Sequence, residues 1–473
     1  MLLFNKKVSF NWFFLFPLLF IFELILGYSG KMLVVANIPI RMVLFVLTLI
    51  SLYFFLFYYL YKNKYGLLKI KFDKSLLGSF NLVDWSILSL FISIIFFATI
   101  VPYFLGDGIS LALKEAFSPC LVLSLFFPVH YFLKFNLISL EKLEKYIYYL
   151  VFVFSCIHIF LYIGQTLNSK FIESYFNFWK TIFFGTSTLP TIMLGHLGSP
   201  RVFFPNSIFI IFGIYIFLKN INKLKIFDYF IYFVNITAVL TTMTKSLWLG
   251  MEFGLILYFV CYLIKQIINK NFKNVFKVIF LFLGTILFLV VLNLTVFNNT
   301  LGTHFSSTFA NSEYNYDEKS DYYKDILKNK GEKYVKDREG SVISNDIKIK
   351  QSKALIKKWF ESPIIGFGYG SYIKNFIRSA DNPFSYEMTF FALLMKTGVV
   401  GILVWLFVIV ALIVTKFKNS KNNREDFFAW LFLSVSFGIL VQTNPLLFNS
   451  VGMSLLLLIA FETINYKKIR KEV

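Results

Sequence analysis

Long apolar runs, separated by short polar segments, set the pattern of this chain from end to end. A helix that crosses a bilayer needs roughly 20 mainly apolar residues. The runs fall at about 10–27, 41–61, 83–104, 117–135, 146–163, 202–218, 226–243, 246–264, 275–296, 386–415, 427–443 and 446–463. They are continuous rather than alternating, which indicates helices and excludes barrel strands. The pattern therefore predicts an all-α polytopic membrane protein with about 12 transmembrane helices.

The first run also resembles a signal peptide, because Lys6 and Lys7 precede it. Its apolar stretch exceeds the roughly 7–15 residues that such peptides use. We therefore expect an uncleaved first helix.

Two polar segments, 164–201 and 297–385, are much longer than the others. The second divides the chain into 1–296 with helices 1–9, the large loop 297–385, and 386–473 with helices 10–12 and a tail. Within the loop, about 346–360 combines an approximate apolar stripe with several lysines and ends before Pro363. This pattern predicts a basic amphipathic helix, which either lies on the membrane surface or caps the bundle.

Basic residues alternate from one segment to the next. Segments assigned to one side hold 25 Lys and Arg residues, whereas the short segments on the other side hold seven. Because cytoplasmic loops carry the excess of positive charge, we expect a multi-pass protein of an inner (cytoplasmic) membrane with both termini cytoplasmic. The large loop is then extracytoplasmic.

Composition narrows the functional classes. Hydrophobic residues make up 57% of the chain and charged residues 15%, with a mean hydropathy of +0.68, so membrane lipids are its main surroundings. The net charge of +21 lies in clusters between apolar runs, which argues against nucleic acid as a partner. The three cysteines all lie in apolar runs, and the four histidines lack metal-ligand spacing. We predict no metal and no cofactor.

Several charged residues lie at the predicted outer face or within the membrane. Arg201 precedes one run, Lys245 lies in the turn before another, and Arg378, Glu387 and Lys396 surround the end of the large loop. Each one alone is compatible with interfacial anchoring. As a group they favour an anion site, since guanidinium and ammonium groups suit a phosphate-bearing lipid.

Local motifs add a family resemblance that covers most of the chain. They are Arg201 to Asn206, Thr244-Lys245-Ser246-Leu247-Trp248, Pro363 to Tyr372 with Gly366, Gly368 and Gly370, and Tyr386-Glu387 followed by 393–401. In this order and placement they resemble the O-antigen polymerase and O-antigen ligase superfamily of bacterial polysaccharide assembly. Lys245 stands where that family usually has Arg. Ligases of the family carry a His-Asn pair where this chain reads Asp381 to Glu387 without His, which favours a polymerase.

The resemblance implies a GT-C-like glycosyltransferase bundle that needs no metal. It would transfer a growing O-antigen or capsule glycan from polyprenyl pyrophosphate to a lipid-linked repeat unit. The alternatives are an O-antigen ligase or related lipid-linked glycan transferase, and, in another class, a polysaccharide flippase or transporter. Expected partners are polyprenyl-pyrophosphate-linked oligosaccharides, membrane lipids, a chain-length regulator and a flippase.

The resemblance also assigns roles to residues. Arg201, Lys245 and Arg378 are expected to hold the pyrophosphate. Glu387 is the candidate catalytic base, with His304 as the second candidate. The turn containing Gly366, Gly368, Gly370 and Tyr372 is expected to face the saccharide.

Overall fold

The computed structural model describes residues 15–27, 34–35, 38–62, 80–105, 109–167, 170, 174, 193–194, 200–297, 347–377, 382–421 and 423–466. In the first half the elements are α1 (Leu15–Leu26), β1 (Val34–Val35), β2 (Ile38–Pro39), α2 (Ile40–Lys62), α3 (Leu82–Leu105), α4 (Ile109–Ser124), α5 (Phe126–Lys134), α6 (Leu140–Leu167), β3 (Met193–Leu194) and β4 (Pro200–Arg201). β1 pairs with β2 and β3 with β4, each antiparallel.

From Pro205 onward, all described elements of regular secondary structure are helical. A 3-10 turn Pro205–Ile208 leads into α7 (Phe209–Lys219), followed by the 3-10 turn Ile221–Lys223, α8 (Ile226–Thr241), α9 (Lys245–Ile268) and α10 (Phe272–Thr295). A helix over 347–359, here α11, comes next. The chain continues with the 3-10 turn Lys374–Phe376, α12 (Thr389–Asn419), α13 (Arg424–Thr443) and α14 (Ser450–Thr463).

Each of the twelve predicted runs coincides with helix. Among the described residues, eight helical segments are long and apolar enough to cross a membrane, and four shorter apolar helices cover Leu15–Leu26, Pro205–Lys219, Ile226–Thr241 and Ser450–Thr463. The all-helical, multi-pass architecture is therefore confirmed, with the two-residue strand pairs as minor additions. The count of twelve spans, the GT-C-like bundle and the division of the chain into three parts stay predictions.

Two predicted helices differ in detail from the observed ones. The run 117–135 belongs to a longer segment that begins at Ile109 and is interrupted at Leu125 between α4 and α5. The run 386–415 contains a kink, because Gly398 adopts φ 59° and ψ −163° inside α12. No proline marks this second break, so hydropathy alone does not locate it.

Small residues allow α9 and α13 to pack closely. A Cβ added at Gly250 would lie 2.7 Å from the carbonyl oxygen of Ser436, and one added at Gly254 would lie 2.7 Å from the Phe432 ring. The Ser436 hydroxyl donates to the Gly250 carbonyl at 2.8 Å. The Gly-x-x-x-Gly spacing thus lets the two backbones approach, as in helix pairs inside membranes.

The two ends of the bundle carry different polar clusters. At one end lie Leu105, Arg201, Lys245 and Thr389, the terminal residues of α3, β4, α9 and α12; we call this the site end. At the opposite end, Lys219 Nζ donates to Glu144 at 2.9 Å and to Glu462 at 2.7 Å.

Candidate functional site

Arg201 is held against the turn that links α8 to α9. Its Nε donates to the Thr242 carbonyl at 3.3 Å, and its Nη2 donates to the Thr244 hydroxyl at 3.4 Å. The next residue continues the attachment, since the Val202 N–H donates to the Thr241 carbonyl at 3.0 Å. The guanidinium carbon lies 5.5 Å from the centre of the Phe203 ring. These contacts orient the guanidinium and leave it half-buried.

Lys245 is placed beside Arg201 by the chain itself. It is the first residue of α9 and directly follows Thr244, whose hydroxyl accepts from Arg201. Consecutive Cα atoms are about 3.8 Å apart, so the backbone of Lys245 adjoins the residue that holds the Arg201 guanidinium. The side chain of Lys245 is half-buried. The first two of the three predicted pyrophosphate-binding residues therefore lie on adjoining segments.

Asn444 connects this turn to the start of α12. Its amide donates to the Ser246 hydroxyl at 2.6 Å. Its carbonyl, together with that of Val441, accepts from the Thr389 hydroxyl, at 3.3 Å and 2.6 Å respectively. Glu387 lies two residues before Thr389. Hydrogen bonds thus join the Arg201 turn to the segment that carries the candidate base.

Glu387 itself is fixed by α11. Its carboxylate lies 3.7 Å from Lys348 Nζ, and its backbone N–H donates to the Gln351 side-chain oxygen at 3.2 Å. The sequence predicts an amphipathic helix here, and the charge partners that it suggests for Glu387 are Lys245 and Lys396 rather than Lys348. Lys348 and Gln351 are one turn apart, which is the helical spacing that puts both on the same face.

The charges of Glu387 and Arg201 act on each other. Burial lowers the pKa of the Arg201 guanidinium, and the Glu387 carboxylate opposes this effect by raising it. Since Arg keeps its proton under all ordinary conditions, Arg201 stays cationic. The site end therefore presents a cationic turn with one acidic side chain within electrostatic reach.

The glycine turn lies deeper in the bundle. Gly366, Gly368 and Gly370 have φ of 73°, 81° and 78°, a region that side chains other than glycine rarely adopt. The N–H of Phe367 and that of Gly368 donate to carbonyls just before the α12 kink, at 3.1 Å and 2.7 Å, and the Tyr369 N–H donates to the Phe97 carbonyl at 2.8 Å. Packing accounts for these glycines, whereas the side chain of Tyr372 is 37% exposed.

A buried ion pair lies beneath this turn. Lys396, 1% exposed, donates to Glu115 of α4 and, at 2.8 Å, to the Phe384 carbonyl. The second Glu115 oxygen accepts from the Gly370 N–H at 2.7 Å. The sequence places Lys396 among charged residues at the outer face or within the membrane, and the structure encloses its side chain in the bundle. Glu115 was missed because it lies just before the predicted run 117–135.

Two predicted site residues, Arg378 and His304, lie outside the described residues. Within the described ranges, no three His, Cys, Asp or Glu side chains come together as metal ligands. The roles assigned to all site residues, and the independence from metal, stay predictions.

Comparison with known proteins gives one match. The model of the O-antigen ligase family matches residues 230–406, a region that includes Lys245, the glycine turn and Glu387 but not Arg201. No curated protein and no solved structure matches. The family match confirms, on this region, the predicted resemblance to the O-antigen polymerase and ligase superfamily.

Proposed function

We propose that this protein is a polysaccharide polymerase that joins O-antigen or capsule repeat units held on polyprenyl pyrophosphate. The growing glycan is the donor, and a single lipid-linked repeat unit is the acceptor. The observation that carries the proposal is the placement of Arg201, Lys245 and Glu387 on adjoining segments at one end of a membrane-embedded bundle. Lys245 and Glu387 lie inside the region that matches the family, and Arg201 lies before it.

The leaving group in this reaction is a diphosphate that gains negative charge as the sugar departs. Arg201 is held against the turn between α8 and α9, and Lys245 directly follows that turn, so the two residues provide two cations for the leaving group. Groups that are already oriented stabilise such charge without reorganising during the reaction. The hydrogen bonds from Arg201 to Thr242 and Thr244 supply that orientation. Arg378, which borders the same segment in sequence, is proposed as a third contact.

The acceptor hydroxyl must lose a proton, and Glu387 is proposed to take it. Its carboxylate is acceptor-only when ionised and is held by Lys348 and by the Gln351 contact of its backbone. His304, in the large loop, is the second candidate for this role. Tyr372 is proposed to contact the saccharide.

The step balances without an added reactant. The acceptor oxygen forms a bond to the anomeric carbon as the bond from that carbon to the diphosphate oxygen breaks. The diphosphate leaves with the bonding electron pair, and the acceptor proton passes to Glu387 and then to water. We propose that no metal takes part, because the protein's own cations neutralise the leaving group.

A ligase is the second candidate, because the matching family model describes O-antigen ligases. Against it, the stretch Asp381 to Glu387 contains no His, whereas the ligases of the family carry a His-Asn pair there. A flippase or transporter is the non-enzymatic alternative. The catalytic reactions are favoured because the family match extends over Lys245, the glycine turn and Glu387.

Reconstitution separates these functions. Purified protein in liposomes is given lipid-linked repeat units, and the glycans are resolved by size. A ladder of lengthened glycans is expected for a polymerase. A ligase would leave lengths unchanged and attach glycan to a lipid-core acceptor added in a parallel reaction, and a flippase would move the units across the bilayer without forming bonds.

A charge-matched pair of variants connects the assay to the site. Arg201→Ala is expected to abolish the ladder, whereas Arg424→Ala, at the opposite end of the bundle, is expected to leave it intact. A full ladder from Arg201→Ala at equal protein abundance would remove Arg201 from the mechanism.

The proposal also covers the location, orientation and partners of the protein. We place the protein in a bacterial inner membrane with its termini in the cytoplasm and the site end outside. A flippase that delivers the repeat units and a regulator that sets chain length are proposed partners.

A further inference from the structure

We infer that α11 lies in the headgroup layer of the bilayer and binds the phosphate groups of anionic phospholipids through Lys350, Lys353 and Lys357. This inference is independent of the proposed reaction, because it concerns the outer face of α11 rather than the face that contacts Glu387. The sequence predicts that this helix either caps the bundle or lies on the membrane surface. We assign both roles to it: the inner face caps the bundle, and the outer face contacts the membrane.

The inner face of α11 fixes the helix to the protein. Leu355 is buried with Ala392 and Met395 of α12 and with Tyr386. Gln351 is also buried and accepts from the Glu387 N–H. The position of α11 is therefore set by packing against the first turns of α12.

The length of α12 places these first turns above the hydrocarbon layer. Its 31 residues would extend about 46 Å at the usual helical rise, whereas the hydrocarbon core is about 30 Å thick. The stretch from Val399, just after the kink, to Lys416 would span about 27 Å. The kink at Gly398 therefore lies near one boundary, and the turns from Thr389 to Thr397 extend into the headgroup layer.

The end of α11 meets α12 at this boundary. The Val399 N–H donates to the Pro363 carbonyl at 3.0 Å, and the Val400 N–H donates to the Ile364 carbonyl at 3.1 Å. Ile364 is 65% exposed and Phe360 is 67% exposed. Large apolar side chains exposed at the level of a lipid-facing kink are expected to enter the edge of the acyl-chain region.

Three lysines occupy the outer face of α11 just above that level. Lys350, Lys353 and Lys357 are all exposed, and their spacing of three and four residues aligns them along one side. Exposed Ile349 and Phe360 border this line. A basic stripe beside an apolar stripe is the arrangement of helices that bind anionic membrane surfaces.

The test measures the depth of α11 in lipid nanodiscs. All three native cysteines are replaced by Ser, Phe360→Cys receives a fluorophore, and the lipids carry a quencher on their acyl chains. We expect quenching of the label, and stronger quenching when phosphatidylglycerol carries the quencher than when phosphatidylcholine carries it, because the lysines concentrate the anionic lipid beside the helix. An unquenched label would overturn the placement.

Charge variants test the lysines. The triple Lys350→Gln, Lys353→Gln and Lys357→Gln variant is expected to lose the dependence on phosphatidylglycerol, since each lysine near an anionic surface changes binding by about fivefold. The control carries Lys223→Gln, Lys225→Gln and Lys270→Gln, which remove the same charge at the opposite end of the bundle. This control is expected to keep the dependence on phosphatidylglycerol.

Two results would overturn the assignment to phospholipid. One is a phosphatidylglycerol dependence that survives in the triple variant. The other is quenching that responds to added polyprenyl diphosphate but not to phosphatidylglycerol, which would assign the stripe to the substrate lipid instead.

Discussion

Lys396→Met removes the ammonium that faces the Glu115 carboxylate inside the bundle. The pair joins α12 to α4, and each partner also holds a separate backbone group: Lys396 donates to the Phe384 carbonyl, and Glu115 accepts from the Gly370 N–H. Because both side chains are buried, removal of one leaves the other charge without its counterion. The expected cost is about 3–5 kcal/mol of unfolding free energy.

The double variant Glu115→Gln/Lys396→Met removes both charges. The amide oxygen of the substituted side chain would still accept from the Gly370 N–H, so the main loss is the unpaired Phe384 carbonyl, which costs about 1–3 kcal/mol. The double variant is therefore expected to be more stable than Lys396→Met. Such strong coupling is the signature of a buried charge pair.

The measurement is an unfolding titration in mixed micelles of the wild-type protein, both single variants and the double variant. Lys350→Met, an exposed lysine of α11, serves as the control for loss of one positive charge. The reasoning is refuted if Lys396→Met costs less than about 1 kcal/mol, or if the double variant loses the sum of the two single losses.

Two further predictions concern the segment around the site. Glu387→Gln is expected to abolish glycan lengthening at unchanged protein abundance, because an amide cannot take the acceptor proton. The control Glu361→Gln, on an exposed turn, is expected to keep activity. A normal ladder from Glu387→Gln would show that no carboxylate is required at this position. Gly366→Ala is expected to destabilise the protein by about 2 kcal/mol or more, from its left-handed φ and from a Cβ 2.6 Å from the Lys396 carbonyl carbon. Gly284→Ala, with open space around it, is the matched control in thermal unfolding, and equal midpoints would contradict the tight turn.

Hydropathy predicted the helices well because each run is a local property of the sequence. The run 246–264, for example, falls inside α9, Lys245–Ile268. Leu15–Leu26 and Ser450–Thr463 were also located, although both are shorter than a full span. A helix in a bilayer needs apolar side chains wherever it lies in the bundle. The hydropathy of each run therefore predicts a helix without knowledge of the tertiary fold.

The contacts between distant segments were beyond the sequence. Asn444 and Ser246 are 198 residues apart, and Lys396 and Glu115 are 281 apart. No local pattern marks such pairs, since their meeting depends on how the helices pack. The same is true of Lys219, which joins two carboxylates from separate helices.

Some of the missed features did leave signals. The spacing of Gly250 and Gly254 is the small-residue motif of close helix pairs, and it lies in a predicted span. The three positive-φ glycines of the turn were recognised as a tight turn, but their packing against α3 and α4 joins segments that are far apart in the sequence. The kink at Gly398 is marked by a glycine rather than by a proline, and a single glycine in an apolar run does not by itself predict a break.

The central claim is that a cationic turn at the site end holds a lipid-linked diphosphate. It is tested most directly by the affinity of the purified protein in nanodiscs for polyprenyl diphosphate without sugar, in the wild-type, Arg201→Ala and Arg424→Ala forms. Loss of the charged hydrogen bonds of Arg201 is expected to weaken binding by about tenfold to a hundredfold, while Arg424→Ala binds as the wild type does. Equal affinity for the wild type and Arg201→Ala would contradict the claim.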